Sequence, residues 1–331
     1  MTSQNSSTFS FDSGRYLAGL AAGLVAILGI FFSISYYGVD RGLIDHPYQA
    51  NYRFQLAKIE RSAPVETLFV GDSSLGAMMD SEVWIQHSGQ PSLHLALTGS
   101  DGYAGSLNMV RRSVDRLRPR NVVIVHTLDM MTRDVAYLGF LQSNPDPASE
   151  RDIPLYSRIV ERFLLYVSRE FIVGTLRGSV RRILGQPTTH MGLEYIRLPD
   201  VSGASAEIRH GRHPALDERA INPEKSHFLE QLVKLCNTRT LNCVYAHGPI
   251  YDEVCRTSQA FIRAVDRHIR GTGIKVAEGT PVCVPRTELA DTIDHVRQDI
   301  KAQYTARYYR QVAPYLDSGG PKRPLISHVK E

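Results

Sequence analysis

From Tyr16 to Gly38 the chain carries no charged residue, and the run reads YLAGLAAGLVAILGIFFSISYYG. At about 1.5 Å per residue a helix of this length crosses the roughly 30 Å hydrocarbon core of a bilayer. Tyr36 and Tyr37 fall where an interfacial aromatic pair belongs. A cleaved signal peptide has a shorter apolar region followed by a small-residue cleavage site, whereas this run is long and ends aromatic. A buried core helix is the remaining alternative, and such helices are usually shorter. The expectation is a tail over 1–15 and a transmembrane anchor over 16–39.

Charge leaves the orientation of that anchor open. Arg15 flanks one end, while Arg41, Arg53, Lys58 and Arg61 follow the other, so the positive-inside rule does not favour an outside domain. The four cysteines are an even number, compatible with an oxidising compartment but not unusual in a reducing one. The net charge of +4 is spread along all 331 residues, which sets aside a nucleic-acid surface. With 43% hydrophobic and 22% charged residues the remainder reads as an ordinary folded domain.

Residues 40–63 are mixed and polar, fit for a helical stalk. After them, apolar runs rich in β-branched residues alternate with helical periodicity. The runs are Glu66 to Val70, Leu93 to Leu97, Val122 to Val125, Cys243 to Ala246 and, more weakly, Ile274 to Ala277. Helical spacing appears in Tyr103 to Leu117, His227 to Leu235, Gln259 to Ile269 and Ile300 to Leu316. This alternation predicts an α/β fold with a doubly wound, five-stranded parallel sheet. It is interrupted by an insertion over about 130–223, which holds the Pro-rich turn Asn144 to Pro147 and a helical stretch from Tyr156 to Leu184. There Arg158, Arg162, Arg169, Arg177, Arg181 and Arg182 interleave with Phe163, Leu164, Leu165, Phe171, Ile172 and Leu176. Such a basic amphipathic segment can lie on a membrane surface or cover an active-site mouth. The commoner fate of an amphipathic helix is to pack on a sheet with its charged face in water.

The first run ends in Val70-Gly71-Asp72-Ser73-Ser74-Leu75-Gly76. Ligands bind at the carboxyl ends of strands in open α/β sheets, so a serine here is well placed to be a nucleophile. Glycine before such a turn lets the backbone bend, and the serine amide then faces a developing oxyanion. Serine needs a base, and Asp291-Thr292-Ile293-Asp294-His295 offers a histidine with two nearby carboxylates. Either aspartate can instead be the N-cap of the helix that follows.

These residues carry a resemblance. Gly71 to Leu75 resembles block I of the SGNH (GDSL-like) hydrolases, Leu95-Ala96-Leu97-Thr98-Gly99-Ser100 resembles their block II glycine turn, and Asp291 to His295 resembles their C-terminal Asp/His block. The similarity spans about Glu66 to Leu316 of a domain over 64–331, and is closest to the membrane-anchored SGNH proteins of bacterial polysaccharide modification. It implies Ser73 as nucleophile, His295 as general base and Asp291 as the residue orienting the imidazole, with Asp294 ranked second. The family's Asp lies three positions before its His, a place held here by Thr292. The oxyanion hole would use the Ser73 and Gly99 amides and a third position. There the family's Gly-x-Asn-Asp is replaced by Thr127-Leu128-Asp129-Met130, and an ionised Asp129 has no proton to donate. Nearby His126 reads as a packed histidine rather than a substitute donor.

The resemblance further implies an inner-membrane protein with its soluble domain in the periplasm, a carbohydrate substrate and a membrane-bound acyl donor. Acyl transfer or ester hydrolysis through an acyl-Ser73 is the first functional reading. A weakened scaffold that binds polysaccharide or partner membrane proteins is the alternative, and a lipid or peptidoglycan hydrolase a third. His190, His210, His213 and His247 lack metal-ligand spacing and no nucleotide-binding glycine fingerprint is present, so neither metal nor cofactor is expected. Cys255 and Cys283 follow consecutive strand-like segments, so they either come within disulfide range or remain as buried thiols.

Overall fold

The computed structural model describes residues 13–40, 47–133, 213–223 and 226–317, with scattered residues between 155 and 184. The chain divides into two compact units, Met1–His46 with Ile159–Thr188, and Pro47–Arg158 with Thr189–Glu331.

The first unit contains helix α1, Ser13–Asp40. Its stretch Ser13–Ile34 is long and apolar enough to cross a membrane, and none of it is buried in protein. Most of the basic stretch at 156–184 lies outside the described residues. Of its described apolar residues, Ile159, Leu176, Val180 and Ile183 are helical and exposed, while Val160, Phe163 and Val173 are half-buried.

The second unit is built on a five-stranded, all-parallel sheet. Its strands are β1 (Thr67–Gly71), β2 (Ser92–Ala96), β3 (Asn121–His126), β4 (Asn242–His247) and β6 (Lys275–Val276), ordered β2-β1-β3-β4-β6. β1 and β3 are buried along their whole length, which is why they read as unbroken apolar runs. The register pairs Phe69 of β1 with His94 of β2 on one side and Val123 of β3 on the other. β1 leads to its neighbour β2, and the chain then crosses back over β1 to form β3. The strand order thus reverses direction between β1 and β3, the kind of point outside whose carboxyl ends open α/β sheets bind ligands.

The connecting helices follow the periodicity closely: α5 is Gly102–Leu117, α6 is Ser226–Arg239, α8 is Gln259–Gly271 and α9 is Lys301–Val312. Two shorter helices, α3 (Ser73–Met78) and α4 (Ser81–Ser88), lie between β1 and β2. The polar segment read as a stalk contains helix α2, Pro47–Arg61, and that helix does not stand clear of the domain. Gln55 is buried and donates to the Ala96 carbonyl at 2.8 Å, Asn51 donates to the same oxygen at 3.2 Å, and Ile59 joins the core.

A second sheet not foreseen in the sequence pairs β5 (Ile250–Tyr251) with β7 (Cys283–Val284). Helix α7, Asp252–Thr257, follows β5 and carries Cys255, which is disulfide-bonded to Cys283. A second disulfide, Cys236–Cys243, joins α6 to β4. All four cysteines are therefore paired.

The Cys255–Cys283 bond closes a loop of sequence separation 28. By chain entropy a loop of that size stabilises the fold by about 3.6 kcal/mol. The double change Cys255→Ser, Cys283→Ser should lower the melting temperature by roughly 10 °C, followed by circular dichroism on the detergent-solubilised chain.

Candidate active site

The turn after β1 is shaped by glycine and fastened by a buried carboxylate. A Cβ at Gly71 would collide with the Val125 carbonyl, so only glycine lets β1 end this close to β3. Asp72 then caps α3. Its Oδ1 accepts from the Ser74 amide at 3.0 Å and the Ser74 hydroxyl at 2.6 Å, while Oδ2 accepts from the Thr127 amide at 2.9 Å. His126 Nδ1 stands 3.4 Å away, and its Nε2 is 2.9 Å from the Ser106 hydroxyl. Burial works to raise the Asp72 pKa, but His126, Ser74 and Thr127 together hold it down at about 2. His126 is thus a packed histidine behind the turn. Ser74 is spent on the cap, leaving the partly exposed Ser73 as the available hydroxyl at the head of α3.

The loop after β2 is locked from within. Asp101 Oδ2 accepts from the Thr98 amide at 3.1 Å and the Thr98 hydroxyl at 2.8 Å, and Thr98 Oγ1 is 2.7 Å from Ser100 Oγ. These bonds hold Gly99 at the crest of the loop. Burial pushes the Asp101 carboxyl up to about 6, in spite of the bonds from Thr98.

The turn after β3 is a 3₁₀ segment, Leu128–Thr132. Asp129 is paired in two-pronged fashion with Arg133, Nη2 lying 3.0 Å from Oδ1 and 3.1 Å from Oδ2. The guanidinium sits against Gly99, where a Cβ would overlap its Nη1. Desolvation raises the Asp129 pKa, and Asp294 and Asp72 raise it further, against the lowering effect of Arg133. The Asp129 carboxylate therefore brings a cation with it.

The His295 loop is a small antiparallel arch. Leu289 bridges Val296, the Ala290 amide donates to the His295 carbonyl at 2.8 Å, and the Tyr251 amide of β5 donates to the Ile293 carbonyl at 2.7 Å. At its tip His295 Nδ1 lies 2.7 Å from Asp291 Oδ1, while Asp294 accepts from the Thr292 hydroxyl at 2.5 Å. Neither aspartate caps the next helix, whose N-cap is Ile300. Burial disfavours the imidazolium, but Asp294, Asp291 and Asp72 outweigh it and raise the His295 pKa.

Asp72 and Asp294 both act on the charges of Asp129 and Arg133, so the ends of β1 and β3 and the His295 loop converge on one region. Ser73 and His295 do not hydrogen-bond directly. His295 Nε2 is buried and has no hydrogen-bond partner. Among the described residues no cluster of His, Cys, Asp and Glu is placed to hold a metal ion.

Reading the sequence missed Arg133, Asp101 and the arch. The four-residue spacing of Asp129 and Arg133 was the one available signal for their pairing. No family model matches the chain, and no curated protein matches it.

The raised Asp101 carboxyl gives a pH test. A buried acid whose pKa is raised favours folding while protonated, a contribution present below its ordinary 3.8 and lost as pH rises through about 6. Asp101→Asn keeps an acceptor for Thr98 without the charge. At pH 7 it should be more stable than the parent by up to about 3 kcal/mol, and the difference should vanish near pH 4. Denaturant unfolding at both pH values measures it, and a pH-independent difference would refute the assignment.

Proposed function

We propose that the chain is a membrane-anchored serine acyltransferase or esterase of SGNH type. It would move an O-acyl group, such as acetyl, on a cell-surface carbohydrate through an acyl-Ser73 intermediate. The observation that carries this reading is His295: bonded to Asp291 through Nδ1, it keeps a buried Nε2 without a hydrogen-bond partner, and the charge of Asp72, next to Ser73, acts on its ring. A doubly wound strand order with its switch point at that turn supports it as well.

In this mechanism Ser73 Oγ attacks the acyl carbonyl as His295 Nε2 takes its proton. The same proton returns to the leaving alcohol, and a glycan hydroxyl or water later resolves the acyl-serine by the reverse sequence. Asp291 holds the ring and stabilises the imidazolium. The Ser73 and Gly99 amides face the oxyanion, and Arg133 takes the place of the family's Asn as the third donor. Asp129 then orients that guanidinium, which explains why a carboxylate stands where a donor is expected.

Two disulfides fit an oxidising compartment, which supports the reading of a periplasmic domain with its anchor in the inner membrane. Alkaline phosphatase fused after Glu331 should be active, and activity of a cytoplasm-only reporter there would reverse the orientation. The acyl donor is then supplied at the membrane, for instance by a membrane-bound partner protein.

Ser73→Ala and His295→Ala should each lower kcat on a small acetyl ester by about 10³-fold or more, and the double change should add little. Arg133→Gln, and Gly99→Ala by displacing the guanidinium, should each cost about 10²-fold in kcat with little change in KM. If well-folded Ser73→Ala keeps full activity, the alternative reading as a polysaccharide- or partner-binding scaffold takes its place.

A further inference from the structure

The loop of His295 hangs on two very short strands. β5 and β7 have two residues each, and the Ile250 amide of β5 donates to the Val282 carbonyl, next to β7, at 3.1 Å. β5 also meets the arch itself, through the bond from the Tyr251 amide to the Ile293 carbonyl, two residues before His295. Arg286, in the chain between β7 and the arch, donates to the Tyr251 hydroxyl from Nε at 3.0 Å and from Nη2 at 2.8 Å. A two-stranded ribbon is marginal on its own even when its strands are of ordinary length. What closes this one covalently is Cys255–Cys283: Cys283 lies in β7, and Cys255 lies in α7, which begins directly after β5. The other disulfide is placed differently. Cys243 stands near the start of β4, whose last residue is His247, so Cys236–Cys243 sits toward the amino ends of the parallel strands, away from the turn of Ser73.

We propose that the Cys255–Cys283 bond positions His295, and that its reduction by a dithiol switches the site off. The switch rests on the reading of His295 as the catalytic base, whereas the positioning does not. Cys255 is 2% exposed and Cys283 is half-buried, so a reductant reaches Cys283 first. A thiolate of the dithiol attacks Cys283 Sγ and breaks its bond to Cys255, which leaves as a thiolate and takes a proton. The second thiolate of the reductant then displaces Cys283. Two protein thiols and the reductant's own disulfide result, with both protons of the dithiol now on cysteine. β7 is then held to β5 by hydrogen bonds alone, and the arch that continues from it can shift. A misplacement of about 1 Å can cost on the order of 10²-fold in rate.

All four cysteines are paired, so Cys236→Ser, Cys243→Ser leaves Cys255–Cys283 as the one disulfide of the full-length chain. This protein, the parent and Cys255→Ser, Cys283→Ser would be compared in detergent, well below their melting temperatures. The readouts are kcat and KM on a small acetyl ester and the titration of the His295 ring by NMR, its signal identified with His295→Ala. Cys236→Ser, Cys243→Ser should keep the parent kcat. Dithiothreitol should lower that kcat about 10²-fold with little change in KM, and reoxidation should restore it. Cys255→Ser, Cys283→Ser should start at the low kcat and not respond. In the reduced protein the His295 titration should move down toward the ordinary value of about 6.5, because Asp294, Asp291 and Asp72 no longer keep their places around the ring. Reduction after folding tests the bond even where Cys255→Ser, Cys283→Ser fails to fold. With circular dichroism showing the fold intact, an unchanged His295 titration after reduction would overturn the positioning, and an unchanged kcat would overturn the switch. Unfolding on reduction, or an equal fall in kcat on removing Cys236–Cys243, would overturn both, since the bond would then be a general brace. If no form cleaves the ester, the catalytic reading has failed and the switch with it, while the titration still decides whether the bond positions the ring.

Discussion

A carboxylate with no contact with water joins three parts of the chain that would otherwise part company. Asp72 takes the Ser74 amide and hydroxyl at the head of α3, the Thr127 amide at the end of β3, and has His126 behind it. An ionised group so deeply buried is costly unless it is well hydrogen-bonded. Asp72 accepts three hydrogen bonds, and in doing so fixes where α3 begins and how far β3 may extend. The first determines the position of Ser73, and the second delivers Asp129 and Arg133. Gly71 is the geometric counterpart, since the close approach to Val125 that brings these amides within reach leaves no room for a side chain.

Around this knot the charges are unequal in number. Asp72, Asp291 and Asp294 all favour a protonated His295. In the proposed reaction that arrangement would suit a base that carries a positive charge in the transition state, because imidazolium formation is then opposed less. It would not suit an oxyanion formed in the same step. Arg133 offsets the imbalance on the side where Gly99 lies, and its bond to Asp129 spares it the entropy of finding its place.

The strands were legible because a parallel sheet buried on both faces demands unbroken apolar runs, and β1 and β3 have them. The turn at Gly71 was legible too, since a glycine directly after an apolar run marks a sharp strand end. What escaped depended on partners distant in sequence. Helix α2 reads as polar and stalk-like because Asn51 and Gln55 are polar, yet both bond the Ala96 carbonyl 45 and 41 residues away. The two-residue strands β5 and β7 are too short for any periodicity to show, although they support the loop of His295. Arg133 was hidden for a different reason: its value lies in what Gly99, on another strand's loop, leaves open.

Connectivity links the two units in a way that bears on where the site can work. Chain leaves the unit of α1 into α2, which is hooked to the end of β2 just before the loop of Gly99. If α1 is held in a bilayer, as proposed, the domain is tethered through α2. Between the end of α1 at Asp40 and the start of α2 at Pro47, a fully extended chain spans at most about 25 Å. A domain so leashed meets substrates at the membrane surface at far higher effective concentration than in bulk, which favours acyl donors and glycans that are themselves membrane-bound.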